Sequence, residues 1–207
     1  MAQQANPFGL FTAATETDVA SLHHIMVSTL ASRRFVFGYE GMSVGIDRLA
    51  LGVDCDLVHS FICVGDSAAA QNIPYLQAMG VTHVLNVAEG NGPGMVSTTA
   101  RTYAGTGIDY LGLPIVDSPL YDISQHFQEA TTFIDRCQGN GKVLVHCLRG
   151  RSRSPAVVLA YLMIRYNTPA PMGLRLLSSK RSLNINYGFL DKLADLHNHL
   201  CVAASNN

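Results

Sequence analysis

The chain has 207 residues, 48% of them hydrophobic and 14% charged, enough for one domain with a sizeable core. A formal net charge of −1 gives no general attraction to nucleic acid or an anionic membrane, so any basic patch must be local. Five cysteines (Cys55, Cys63, Cys137, Cys147, Cys201), odd in number and with neither C-x-x-C nor zinc spacing, exclude a metal cluster of cysteines and favour reduced thiols.

In chain order, residues 1–14 read as a tail. Residues 15–30 carry Val19, Leu22, Met26 and Leu30 near helical spacing, with Thr15 and Asp18 resembling a capping box. Residues 31–57 have weak periodicity and several glycines, and read as an irregular connection. "SFICVG" (60–65) predicts a buried strand, 67–79 a helix and "THVLNVA" (82–88) a β-branched strand. The glycine-rich "EGNGPGMV" (89–96) is not G-x-G-x-x-G and opens no convincing helix, so a flexible loop is expected rather than a nucleotide site. A weak helix at 98–103, a strand at 109–116, a helix at 123–137 and a strand at 143–146 follow. Helices at 154–166, 171–181 and 187–200 close the chain. Alternating strands and helices imply an α/β fold with a central, mostly parallel twisted sheet covered by helices on both faces. The expected organisation is residues 1–57 packed on a catalytic domain 58–201, with a tail at 202–207.

The first nineteen residues lack a basic segment followed by an apolar run, and no stretch holds 18 consecutive apolar residues. With the reduced thiols, this leads to the expectation of a soluble chain of the cytoplasm and/or nucleus.

The informative stretch is "KVLVHCLRGRSRSPAVVLAYLM" (142–163), where three arginines lie between two apolar segments. Burying cations there is costly unless an anion joins them. The turn from Cys147 to Arg153 joins a strand end to a helix start, where unpaired amides and the helix dipole favour a phosphate, sulfate or carboxylate. Gly150 permits close backbone approach, and Pro155 suits a first helical turn. Amides converging on Cys147 would favour its thiolate, giving a nucleophile. Arg153 can clamp two ligand oxygens bidentately. Ser154 can hydrogen-bond the sulfur as it becomes a leaving group, and His146 is placed to orient backbone groups. Leu148, Arg149, Gly150, Arg151 and Ser152 complete the substrate-binding loop, with Arg149 and Arg151 as rim charges. A lone buried cysteine in a basic turn needs no chemical role. H-C-x5-R-S between a strand and a helix is far more specific.

"HCLRGRSRSP" looks like the signature H-C-x-x-G-x-x-R-[ST] of the cysteine-dependent protein tyrosine phosphatases, and "SRSP" resembles their dual-specificity branch. "ICVGDSAAAQNIPYLQAMGVTHVLNVAEG", "FIDRC" and "NYGFLDKL" resemble the small atypical dual-specificity phosphatases of VHR type. The likeness spans about residues 58–200 and is weaker near 17–30. It implies a protein tyrosine phosphatase-like fold, no cofactor, and phosphorylated protein substrates, with mitogen-activated protein kinases among them. Neither nucleic acid nor membrane is expected as a partner, and the oligomeric state is left open.

Such chemistry needs a general acid for the leaving oxygen. Asp117 stands at the end of the 109–116 strand, where α/β active sites collect, whereas Asp122 is more simply a helix N-cap. The family pattern, with its acid six residues before the apolar residue opening the next helix, selects Asp117. It also matches Arg181 to an arginine at the pocket edge, open to a second phosphate or an acidic residue. The residues alone equally allow an exposed helix-end cation. Asn186 matches a family asparagine, or N-caps the last helix. Two departures stand out. Pro93-Gly94 replaces a bulky apolar pair at the rim, removing aromatic contacts for phosphotyrosine, and Arg149 replaces an acidic residue. A more positive mouth is expected to favour acidic or doubly phosphorylated targets, with steep salt dependence. The competing readings are a phosphate-binding adaptor without turnover, a phosphatase of this fold acting on RNA, lipid or glycan phosphates, and a rhodanese-like sulfurtransferase.

Overall fold

The computed structural model describes residues 16–31, 48 and 50–205. Thr15, most of the 31–57 connection and the last two residues lie outside that set. Helix α1 spans Val19–Ser28, and Asp18 caps it by accepting from the Ser21 amide at 2.7 Å. Its inward face is Leu22, Ile25 and Met26, whereas Leu30, expected in the apolar stripe, is exposed beyond the helix end.

Five strands follow: β1 Cys55–His59, β2 Ile62–Gly65, β3 Val81–Asn86, β4 Asp109–Gly112 and β5 Lys142–His146. They form one sheet in the order β1-β2-β5-β3-β4, antiparallel between β1 and β2 and parallel elsewhere. Strand β1 corrects two expectations, because it begins inside the supposed irregular connection and crosses the expected boundary at residue 58. The remaining helices are α2 Ser67–Gln71, α3 Ile73–Ala78, α4 Phe127–Cys137, α5 Arg153–Tyr166, α6 Ala170–Lys180 and α7 Tyr187–Ser205. The helix expected over 67–79 is broken, since Asn72 ends α2 and accepts from the Tyr75 amide to start α3. Pro74 in the first turn of α3 has no N–H to extend α2. The expected 123–137 helix opens with a 3-10 turn, Ile123–His126, and α7 runs into the supposed C-terminal tail.

The central strand β5 shows why its sequence is a continuous apolar run. Val143 and Val145 point into the larger core with α1, α4, α5, α6 and α7, while Leu144 joins the smaller core under α2 and α3. Both sheet faces are therefore covered. The period of two carries on past the strand and points Cys147 towards the larger core. The loops after β2, β3, β4 and β5 all leave the same edge of the sheet, the carboxyl ends of the parallel strands, where ligands bind in α/β folds.

Candidate active site

The loop from Cys147 to Ser152 links β5 to α5 and closes around the Cys147 sulfur. That sulfur is buried and accepts from the Gly150 amide at 3.2 Å and the Ser154 hydroxyl at 3.4 Å. Burial alone raises a thiol's pKa. Here the Ser154 hydroxyl, the Arg153 charge, and the Ser154 and Gly150 amides outweigh it, so the Cys147 pKa falls below its ordinary value. Gly150 has φ +62°, and a Cβ there would lie 2.4 Å from the Gly65 carbonyl oxygen and 2.7 Å from an Arg181 nitrogen. The position requires glycine.

The loop carbonyls are held from outside. The Leu148 oxygen accepts from the Ser67 amide at 3.2 Å and the Arg151 oxygen from the Asn184 amide at 2.7 Å. The Arg149 and Gly150 oxygens accept from Arg181 at 3.0 and 2.6 Å. Leu148 and Arg149 turn their side chains to solvent. Arg151 is also exposed and is tied to the Ser182 carbonyl and hydroxyl, both neutral, with no carboxylate paired to it among the described residues. His146 is fully buried, near the Cys147 carbonyl at 3.4 Å, and burial pushes its pKa down to about 4. It is a neutral packing and orienting group rather than a proton carrier at neutral pH.

Arg153, in the first turn of α5, is buried with neutral acceptors. Its terminal nitrogens donate to the Gly94 carbonyl at 2.9 Å and the Ile115 carbonyl at 3.2 Å, with Met95 sulfur at 3.8 Å. Its Nε has no hydrogen-bond partner among the described residues and stands 3.6 Å from Asp117 Oδ2. A buried cation with an open donor beside this sulfur is suited to an oxyanion.

Asp117 lies at the mouth, its side chain 37% exposed. Its Oδ1 accepts from the Ser152 hydroxyl at 2.7 Å and the Asn186 amide nitrogen at 2.9 Å. Asn186 also accepts from the Phe189 amide at 3.0 Å, so it caps α7 and orients Asp117 at once. The rival Asp122 caps the 3-10 turn through the Ser124 amide and hydroxyl. Ser152, read as a loop residue facing substrate, instead has its hydroxyl engaged with Asp117.

Two expectations need correction. Arg181 is neither a pocket-edge group nor an exposed cation: it is 1% exposed and paired with Asp54 and Asp56 beneath the loop. The glycine-rich segment is fastened rather than loose. Asn86, fully buried at the end of β3, donates to the Val96 carbonyl and Thr98 hydroxyl at 3.0 Å and accepts from the Ala88 amide at 3.0 Å. Gly94 then presents its carbonyl to Arg153. Asn86, Asp54 and Asp56 escaped the sequence reading. Their signals were a polar residue inside the run "VLNVA" and two acids two residues apart in "DCD", which places them on one side of an extended segment.

The chain is similar to known proteins. The family described as dual specificity phosphatase, catalytic domain, matches residues 62–199. Dual specificity protein phosphatase 26 of Mus musculus is 34% identical over 185 residues, covering 88% of this chain and 82% of that protein. The Homo sapiens protein of the same name is 40% identical over 147 residues, 70% of this chain and 68% of its own. Among solved structures, human DUSP28 superposes with a TM-score of 0.61 and 27% identity over 71% of this chain and 95% of that one. With the cysteine loop, its arginine and its acid on one edge of a sheet of this topology, the chain belongs to the dual specificity phosphatase family, and it is a phosphatase of the protein tyrosine phosphatase superfamily.

Proposed function

We propose that the chain hydrolyses phosphotyrosine and phosphoserine or phosphothreonine monoesters in proteins through a cysteinyl-phosphate intermediate. The observation that carries this reading is the buried Cys147 sulfur, held by Gly150 and Ser154 beside the open Nε of Arg153. In the first step Cys147 attacks phosphorus, the S–P bond forms, the P–O ester bond breaks, and the departing oxygen takes a proton from Asp117. Loop amides and Arg153 stabilise the equatorial oxygens, with the phosphoryl group taking the Nε donor that now faces Asp117. In the second step Asp117, as carboxylate, removes a proton from water as it attacks phosphorus. The S–P bond breaks, and the Ser154 hydroxyl stabilises the leaving thiolate. Ser152 and Asn186 both donate to Oδ1, which leaves Oδ2 to exchange the proton.

The uncompensated Arg149 and Arg151 support a preference for acidic or doubly phosphorylated sequences, and the family likeness extends the proposal to mitogen-activated protein kinases. The test compares aryl phosphate and phosphopeptide turnover by the wild type, Cys147→Ser and Asp117→Asn. Turnover is expected to vanish in Cys147→Ser and to fall in Asp117→Asn, most for alkyl phosphates. Activity surviving Cys147→Ser would sink the mechanism. Tight phosphopeptide binding without wild-type turnover would favour the adaptor. Salt-insensitive turnover of a doubly phosphorylated peptide would remove the role given to the rim arginines.

A further inference from the structure

The open question about the loop is why its amides face inward. A planar trans peptide sends the carbonyl of one residue and the amide of the next in opposite directions, and no described peptide is cis. The amides of residues 149–152 therefore point away from whatever holds the carbonyls of residues 148–151. Two of those four carbonyls are held by main-chain amides, Ser67 and Asn184. The other two, Arg149 and Gly150, are held by one side chain from the far end of α6.

That side chain uses every donor it has. Arg181 Nε donates to the Gly150 oxygen at 2.6 Å and one terminal nitrogen to the Arg149 oxygen at 3.0 Å. The remaining three N–H groups meet Asp54 Oδ2 at 2.6 Å, Asp54 Oδ1 at 3.2 Å and Asp56 Oδ2 at 2.7 Å. Five donors meet five acceptors, with none left for a ligand. Asp56 Oδ1 and Asp54 Oδ1 are approached in turn by Arg48 at 2.7 and 3.5 Å. Burial works against the Arg181 charge, and the two carboxylates more than offset it. The Arg149–Gly150 peptide shows the result directly: its oxygen, that of Arg149, faces Arg181 on one side while its amide, that of Gly150, meets the Cys147 sulfur on the other.

We propose that Arg181 is a positioning residue for the phosphate loop, clamped by Asp54 and Asp56 so that its fork holds the Arg149 and Gly150 carbonyls outward and the amides toward sulfur and phosphate. This deepens the phosphatase reading and rests on it for the ligand. It gives β1, an edge strand otherwise remote from chemistry, a part in shaping the site. A lysine cannot replace the residue, because three donors on one nitrogen do not span two carbonyls and two carboxylates.

The test uses the full chain with Arg181→Lys, and Asp54→Asn as a milder change that places an amide N–H against the guanidinium. Three quantities are measured: the rate of Cys147 alkylation by iodoacetamide against pH, protection of Cys147 by inorganic phosphate, and thermal unfolding. None requires turnover, so a failure of the phosphatase reading would be seen separately, as an inactive wild type. Raising the thiol pKa by one unit lowers the thiolate fraction about tenfold at a pH below both values. Both variants are expected to alkylate more slowly at pH 6, about tenfold for Arg181→Lys, with phosphate protection weakened by a similar factor. Turnover of singly and doubly phosphorylated peptides should fall together. A folded variant with lower thermal stability but wild-type alkylation and protection would reduce Arg181 to a structural ion pair and overturn the proposal. Loss confined to the doubly phosphorylated peptide would make it a substrate contact and overturn it equally. If Arg181→Lys does not fold, Asp54→Asn decides alone, and wild-type titration and protection in that variant refute the role.

Discussion

Replacing Gly150 by alanine tests the packing of the phosphate loop at its tightest point. Two penalties add. At φ +62° an L side chain costs roughly 1–2 kcal/mol against glycine. The new Cβ would also sit 2.4 Å from the Gly65 oxygen, fixed at the end of β2, and 2.7 Å from an Arg181 nitrogen. Neither neighbour is the loose end of a flexible chain, so the loop itself must move, at a further cost of about 1–3 kcal/mol. Gly105 provides the comparison: φ +74°, exposed, with nothing within 4 Å of a Cβ. Gly105→Ala should lose only about 1 kcal/mol in urea unfolding and keep wild-type kcat/KM. Gly150→Ala should lose roughly 2–5 kcal/mol, and its kcat/KM for an aryl phosphate should drop by about 100-fold or more, as displaced catalytic groups do. The assay pairs urea melts with steady-state kinetics on both variants. If Gly150→Ala turns over within threefold of wild type, or loses no more stability than Gly105→Ala, the rigid packing of the loop against Gly65 and Arg181 is wrong.

Four further outcomes follow from the same geometry. His146, pushed down to about 4, stays neutral in the fold while an unfolded histidine protonates below ~6.5; the unfolded chain then binds more protons between those values, so stability falls as pH drops through that window, by roughly 3 kcal/mol in all, and urea melts of His146→Gln should show a shallower acid loss. Asn86→Ala leaves the Ala88 amide without its acceptor and the Val96 carbonyl with the Gly90 amide alone, and should cost about 1–3 kcal/mol in the same melts, with kcat falling as Gly94 loosens its hold on Arg153. Ser154→Ala removes the hydroxyl 3.4 Å from the sulfur and should slow hydrolysis of the phosphoenzyme more than its formation, so rapid-quench experiments should show a product burst larger than in the wild type. Arg153→Met strands two neutral carbonyls, at about 1–3 kcal/mol, whereas Arg181→Met leaves two buried carboxylates with Arg48 as their remaining cation and two loop carbonyls without their donor, at about 3–5 kcal/mol; equal thermal shifts in the two would refute this assignment of charges.

How much was legible in the sequence depended on how far apart the cooperating residues lie. Cys147, Arg153 and Ser154 share one turn, so their spacing alone brings them together. Asp117 was placed by its position after a strand, although β4 ends at Gly112 rather than at 116, and the parallel sheet sends the chain beyond that end towards the cysteine loop. Arg181 and Asp54 are 127 residues apart, and nothing local indicates that an α6 end meets an edge strand. The acids of "DCD" also obscured β1, because polar residues on a short strand weaken its apolar pattern. The glycine-rich segment failed for a different reason. Its useful group is the Gly94 main-chain carbonyl, which every sequence provides equally, and its fastening depends on the single buried amide of Asn86. Composition reports side chains; it does not show which carbonyl a distant guanidinium will reach.

The two buried arginines show how the same side chain is assigned opposite tasks by its acceptors. Each is nearly inaccessible, and each hydrogen-bonds main-chain carbonyls. Carbonyls orient a guanidinium but do not neutralise it. Arg153 meets carbonyls and a thioether, keeps Nε open, and among the described residues pairs only with the partly exposed Asp117, at 3.6 Å. Its charge is therefore held in low dielectric, and in the proposed mechanism the incoming phosphate satisfies donor and charge together. Arg181 faces two carboxylates that are themselves buried, so its charge is neutralised before any ligand arrives. What it transmits is direction: two carbonyls turned one way and two amides the other. Exchanging the acceptors of the two arginines would leave a fold with a neutral pocket and an unpaired cation under its floor. On the proposed role of Arg181, Asp54 and Asp56 shape the loop through the arginine they hold.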